Sequence, residues 1–153
     1  MATWSLAAHD LVREELDQMQ AVLDHLAGSR VPLLARACRH VLDGRGKRIR
    51  PTLLSLSARA AAGDDYRPSH DAVLLSAAVE TVHVSSLLHD DVVDGASVRR
   101  GRVSVNAEWG SPISIFTADY LLAAVFQVLA TPENVELLRG LATAVMRMCE
   151  AEV

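Results

Sequence analysis

Between Ser69 and Asp94 the chain reads HDAVLLSAAVETVHVSSLLHDDVV, an apolar run with no glycine or proline. It is too long for a strand and has no period-2 alternation, so it can only be a helix. Ser69 is a good N-cap for it, and the spacing carries it to about Asp94. The rest of the chain follows the same rule. Residues 5–27 place Leu11, Val12, Met19, Val22, Leu23 and Leu26 on one side of a helix that stops at Gly28. A second helix covers about 31–43 and ends at Gly44, and a third runs from about Pro51 to Gly63. Residues 95–110 read as a loop and 111–130 as a further helix. Thr131-Pro132 then caps a last helix still running at Val153. Half the residues are hydrophobic, only six are aromatic, and alanine and leucine dominate, which suits close helix-helix packing. The expected fold class is all-α, in a single domain spanning 1–153.

Charge and cysteine usage narrow the setting. A net charge of -4 argues against a general nucleic-acid surface. Cys38 and Cys149 lack any CxxC or Cys/His spacing and read as reduced, buried residues of a cytoplasmic protein. The N-terminus is acidic too early for a secretory signal. Residues 111–130 are long enough to cross a bilayer. They lack a basic flank and carry Ser114, Thr117, Asp119 and Gln127, so a buried core helix is the expectation and no transmembrane segment is assigned.

Chemistry concentrates at the end of the longest helix. Asp90 and Asp94 lie one turn apart on one face, with Asp91 beside them. Like charges at that spacing repel, and they sit at a helix C-terminus where the dipole is already negative. A compensating cation is required. Mg²⁺ suits carboxylate oxygens, because it binds through one or two carboxylates, waters and substrate phosphates. The alternative is a solvated acidic helix end paired with Arg99 or Arg100. A second cluster, GRGKRIRP at 44–51 with Arg45, Lys47, Arg48 and Arg50, joins Arg99, Arg100 and Arg102 to put seven of the fifteen basic residues in two short loops. Glycine permits close approach of backbone to an anion, and arginine offers a fork matched to phosphate. Two basic loops beside three aspartates fit a metal-bridged diphosphate better than nucleic acid. His83 lies two turns before Asp90 and faces roughly the same way, whereas His89 reads as structural.

The segments GRGKRIRP, ETVHVSSLLHDDVVDGASVRRGRVSVN and ADYLLA closely resemble the trans-prenyltransferases, the isoprenyl or polyprenyl diphosphate synthases, over roughly residues 38–153. The resemblance implies an antiparallel helical bundle around a deep apolar cavity, commonly homodimeric. It also implies Mg²⁺-dependent head-to-tail condensation of isopentenyl diphosphate onto an allylic diphosphate. Asp90, Asp91 and Asp94 match the first aspartate-rich motif, with Asp90 and Asp94 as the implied metal ligands, and Arg99 matches an arginine on the allylic diphosphate. Lys47, Arg50, His83 and Arg100 match the group that holds isopentenyl diphosphate. Ser85 and Ser86 stand where bulky aromatics in the family stop elongation early, which leans towards a product longer than farnesyl. Small residues for close helix packing are the equal alternative.

Val103, Ala118 and Ala151 replace family proline and glycines. The larger departure is length, because the family's second aspartate-rich motif lies in a half that this chain lacks. Asp64-Asp65 is no substitute. The expected state is therefore the N-terminal half of a synthase whose chemistry belongs to the longer family enzyme, or a split enzyme completed by a partner chain or by self-association. A non-catalytic subunit or a degenerate remnant is the remaining alternative. A truncated cavity would expose Leu121, Leu122, Val125 and Phe126.

Overall fold

The computed structural model describes residues 3–43, 46–63 and 66–153. Gly44, Arg45 and Asp64-Asp65, named above, lie outside the described residues. The elements are α1 (Thr3–Leu11), α2 (Arg13–Leu26), α3 (Pro32–Leu42), α4 (Ile49–Ala62), α5 (His70–Val93), β1 (Val98–Arg99), β2 (Arg102–Val103), α6 (Val105–Trp109), α7 (Ser111–Leu129) and α8 (Val135–Glu152). The class is all-α, as the pattern predicts.

Helix α5 is the axis of the bundle. Its N-cap is Ser69, whose hydroxyl accepts the Ala72 N–H at 3.1 Å. Val73, Ala77, Val82, Val84 and Leu88 are buried along it. Helix α7 packs most extensively on α5 and runs antiparallel to it. At one end Ser114 donates to the Leu88 carbonyl, and at the other Leu74 and Val128 share a cleft. The core joins Met19, Leu23, Cys38, Leu42, Leu121, Val125 and Leu129 to the apolar face of α5.

Several details differ from the sequence reading, each for a local reason. The helix expected over 5–27 breaks at Val12, which leaves helical geometry at φ -120°, ψ 24° while its side chain is fully buried. The third helix starts at Ile49 rather than Pro51, since a proline in the first turn removes an N–H that has no intrahelical partner anyway. The expected loop 95–110 contains a hairpin and the short helix α6. Arg100 and Gly101 form the hairpin turn with φ of 51° and 76°, the double positive φ that matches strand twist in two-residue hairpins. Cys149 is exposed on α8, and only Cys38 is buried. Leu121 and Val125 are buried against α5 within this chain, so they are not the exposed face. On α7 the outward apolar side chains are Ile115 and Phe116, the latter 63% exposed. Among the described residues α5 and α7 are long and apolar enough to cross a membrane by length and composition. Helix α5 is mostly enclosed by the bundle, and α7 is a core helix that buries one side, the one carrying Ser114, Thr117, Leu121, Val125 and Leu129.

Candidate functional site

The three aspartates divide into two kinds. Asp91 is buried, and its Oδ1 accepts Arg99 Nε at 2.8 Å and Nη2 as well. Asp90 is half-buried and Asp94 exposed. Neither carboxylate takes a hydrogen bond from a side chain among the described residues, and both act on Arg99 only through space. The Asp91 hydrogen bond chiefly raises the Arg99 pKa, with Asp90 and Asp94 adding to it. The helix end is thus paired with Arg99, as the solvated alternative supposed, but only through Asp91. Among the described residues no three His, Cys, Asp or Glu side chains converge into a metal cage. Two open carboxylates one turn apart instead offer hard oxygen donors to a divalent cation that draws its other ligands from water and phosphate.

A dense set of hydrogen bonds fixes the hairpin beneath these acids. Ser104 donates to the Ala96 carbonyl at 2.6 Å. Asn106 Nδ2 donates to the carbonyls of Asp91 and Ala96, both at 3.0 Å. Arg102 reaches the C-terminal end of α3, donating to the His40 carbonyl at 2.9 Å and to Asp43 at 2.6 Å. Its Nη2 also lies 3.0 Å from His40 Nδ1, and His40 Nε2 lies 2.8 Å from the Val103 carbonyl. Arginine can only donate, so His40 carries its proton on Nε2. A cleft of about 70 Å³ between α3, α5 and the hairpin has Asp91, Arg99, Arg100 and Arg102 on its walls.

One to two turns before the acids, a cationic group gathers. Arg100 Nη2 lies 3.4 Å from His83 Nε2, so His83 accepts there and holds its proton on Nδ1. Burial, then the charge of Arg50, and also Arg100, push the His83 pKa below its ordinary value, against the pull of Glu80 and Asp90. The geometry therefore brings Arg50, His83 and Arg100 together. Lys47 is exposed in the loop that leads into α4, and Arg50 lies in the first turn of that helix. His89 lies 3.4 Å from Asp119 across α5 and α7, a structural clasp. Ser85 is buried with an unpartnered Oγ, while Ser86 is half-buried and donates to the His83 carbonyl at 2.9 Å.

Sequence reasoning overlooked Arg48 as anything more than loop charge, and it overlooked Glu80 entirely. Arg48 Nη1 donates to Glu80 Oε1 at 2.8 Å, and Nη2 donates to Gln20 Oε1 at 3.0 Å and to the Leu42 carbonyl at 2.9 Å. The signal was available: a lone glutamate in an apolar helix, three residues before His83, needs a cation.

This helical architecture, with α5 central and α7 antiparallel to it, is the isoprenoid synthase fold. A decaprenyl diphosphate synthase from Rhodobacter capsulatus superposes with a TM-score of 0.86 at 32% identity, over 97% of this chain and 45% of that one. A polyprenyl synthase from Caulobacter crescentus CB15, complexed with calcium and isoprenyl diphosphate, superposes at 0.89 with 30% identity, covering 97% and 44%. The polyprenyl synthetase family model matches residues 31–153, and the chain belongs to that family. Heptaprenyl diphosphate synthase component 2 of Geobacillus stearothermophilus is 34% identical over 147 residues, 96% of this chain and 45% of that protein. The chain spans about half the length of the curated relatives it matches.

Proposed function

We propose that this chain provides one half of a prenyltransferase site that condenses isopentenyl diphosphate with an allylic diphosphate, giving a polyprenyl diphosphate longer than farnesyl, in the cytoplasm. The observation that carries this reading is the division of charge along α5. Open carboxylates Asp90 and Asp94 lie at its end, and the cationic group of Arg50, His83 and Arg100 lies one to two turns earlier. In this reading Asp90 and Asp94 would hold Mg²⁺, which would supply neutralisation of charge on the allylic diphosphate. Arg99, oriented by Asp91, offers its remaining N–H groups to the same diphosphate. Lys47, Arg50, His83 and Arg100 hold isopentenyl diphosphate. Ser85 and Ser86 present no bulky side chain to stop a lengthening chain, so Ser85→Phe or Ser86→Phe is expected to shorten the product.

The remainder of the site comes from further helices, in a continuation of the chain, a second copy or a partner. Relatives named as component 2 of heptaprenyl diphosphate synthase favour a partner chain as the second reading. Titration calorimetry tests the half-site. The expected result is Mg²⁺-dependent binding of an allylic diphosphate that Asp90→Asn and Asp94→Asn abolish. Isopentenyl diphosphate binding is expected to survive those changes and to be lost in Arg50→Ala. Wild-type protein that binds neither diphosphate overturns the proposal.

A further inference from the structure

Four groups meet where the loop before α4 crosses α5. Arg48 is 10% exposed and Glu80 3%, so their ion pair is almost wholly inside the protein. The same guanidinium reaches Gln20 on α2 and the Leu42 carbonyl at the end of α3. Arg48 thus links α2, α3 and α5 to the loop that leads into α4. Its backbone is left-handed, at φ 46° and ψ 35°, a conformation that arginine adopts only when its surroundings hold it. The carbonyl of this residue accepts Thr52 N–H at 3.0 Å and Thr52 Oγ1 at 2.7 Å, so the strained residue is also the N-cap of α4.

The cationic group surrounds this link. Lys47 immediately precedes Arg48 and Arg50 lies two residues after it. A Cβ added to Gly46 would come within 2.6 Å of Arg100 Nη1 and 3.6 Å of Glu80 Oε1. Arg100 therefore packs directly on the loop backbone beside the Glu80 carboxylate. Glu80 lies three residues before His83, on the neighbouring turn of α5. One buried carboxylate sits among several cations that would otherwise repel one another. Its negative charge fixes one of them, Arg48, in place.

We infer that Arg48 and Glu80 form a positioning pair, which holds Lys47, the first turn of α4 with Arg50, and Arg100 at the distance and orientation that grip the diphosphate of isopentenyl diphosphate. Neither residue touches substrate in this assignment, and it rests on the half-site reading above. The pair makes the cationic group a preorganised cradle rather than four mobile side chains, which lowers the ordering cost of binding.

The test uses a double variant, R48M/E80L, because removing one partner alone would leave a buried charge and endanger folding, whereas replacing both partners of a buried ion pair by apolar groups is commonly neutral. R48K keeps the charge but not the fork and serves as the conservative variant. Two measurements are made on the whole chain. Lys47 is the sole lysine, so a lysine-specific protease cuts only in this loop, and its rate reports loop order without any ligand. Calorimetry gives affinity for isopentenyl diphosphate and, separately, Mg²⁺-dependent affinity for an allylic diphosphate.

In R48M/E80L the expected result is cleavage after Lys47 at least tenfold faster, with isopentenyl diphosphate affinity down at least tenfold. The melting temperature and the allylic affinity stay as in wild type, and R48K falls between the two. Unchanged cleavage, or parallel loss of both affinities with the melting temperature, overturns the positioning role. Wild-type protein that is protected at Lys47 by the pair yet binds no isopentenyl diphosphate would instead overturn the half-site reading, and with it the purpose assigned to the pair.

Discussion

Neutralising the three aspartates one at a time should give opposite signs of stability change. Asp91→Asn keeps the volume and removes the charge that holds Arg99 Nε at 2.8 Å. Hydrogen bonds to charged groups contribute about 1.5–3 kcal/mol. Arg99 is 37% exposed, so solvent screens part of the attraction and the lower half of that range, about 2 kcal/mol, is expected. At this chain length that lowers the melting temperature by about 4–8 °C. Asp90→Asn and Asp94→Asn relieve repulsion between carboxylates one turn apart, about 0.2–0.5 kcal/mol. They also remove negative charge from a helix C-terminus, which is worth about 0.3–1 kcal/mol. Each loses some long-range attraction to Arg99, so the net expectation is stabilisation of about 0.5 kcal/mol. Circular dichroism melting of the three variants, with Mg²⁺-dependent allylic diphosphate binding of each, provides the assay. Asp90→Asn and Asp94→Asn should be as stable as wild type or more so, yet unable to bind. Asp91→Asn should be less stable and bind with reduced rather than abolished affinity. Equal melting shifts in all three variants would refute the division of roles.

Three further outcomes are expected. Because His83 has a pKa below its ordinary 6.5, the native state binds fewer protons than the unfolded chain around and below that pH. Its contribution to stability is complete above about pH 6.5 and is lost as pH falls through the depressed value. An NMR titration should give a midpoint below 6.5 that rises when diphosphate is added, and a midpoint above 6.5 in the free protein contradicts the geometry. Burial pushes the Cys38 thiol up to about 11, so a thiol reagent at pH 8 should modify one cysteine per native chain, Cys149, and two after denaturation. Phe116 on α7 is the outward aromatic, so light scattering at micromolar concentration should find self-association that Phe116→Ser weakens, and a wild-type monomer would refute this.

The helices were legible because each carries either an amphipathic stripe or an unbroken apolar run longer than any strand. The two-residue strands of the hairpin were not, since they are shorter than any period that a pattern can express. The split at Val12 was hidden because Val12 is apolar in either geometry and its burial decides the break. In the site, the spacing of Asp90 and Asp94 was readable as a shared face. The separate role of Asp91 depended on where the hairpin turned Arg99, which only tertiary structure fixes. Arg48 looked like its neighbours Lys47 and Arg50 because a basic loop does not reveal which cation is turned inward. The burial of Leu121 and Val125 was missed for a similar reason, since the side of α7 that meets α5 is set by the connection through α6.

The hairpin between α5 and α6 also limits how this segment can vary. Arg99 and Arg102 are cross-strand partners, and they point the C-terminal ends of two different helices at one another, through Asp91 on α5 and through Asp43 just after α3. Side chains on a strand alternate with a period of two, so slipping the register by one residue at the Arg100-Gly101 turn would turn one strand over relative to the other and part Arg99 from Arg102. If β1 stays anchored by Arg99 on Asp91, β2 is the strand that turns, so the Arg102–Asp43 pair is lost and Val103 takes its face. Substitutions in this loop can therefore be absorbed one at a time, but a change in its length cannot.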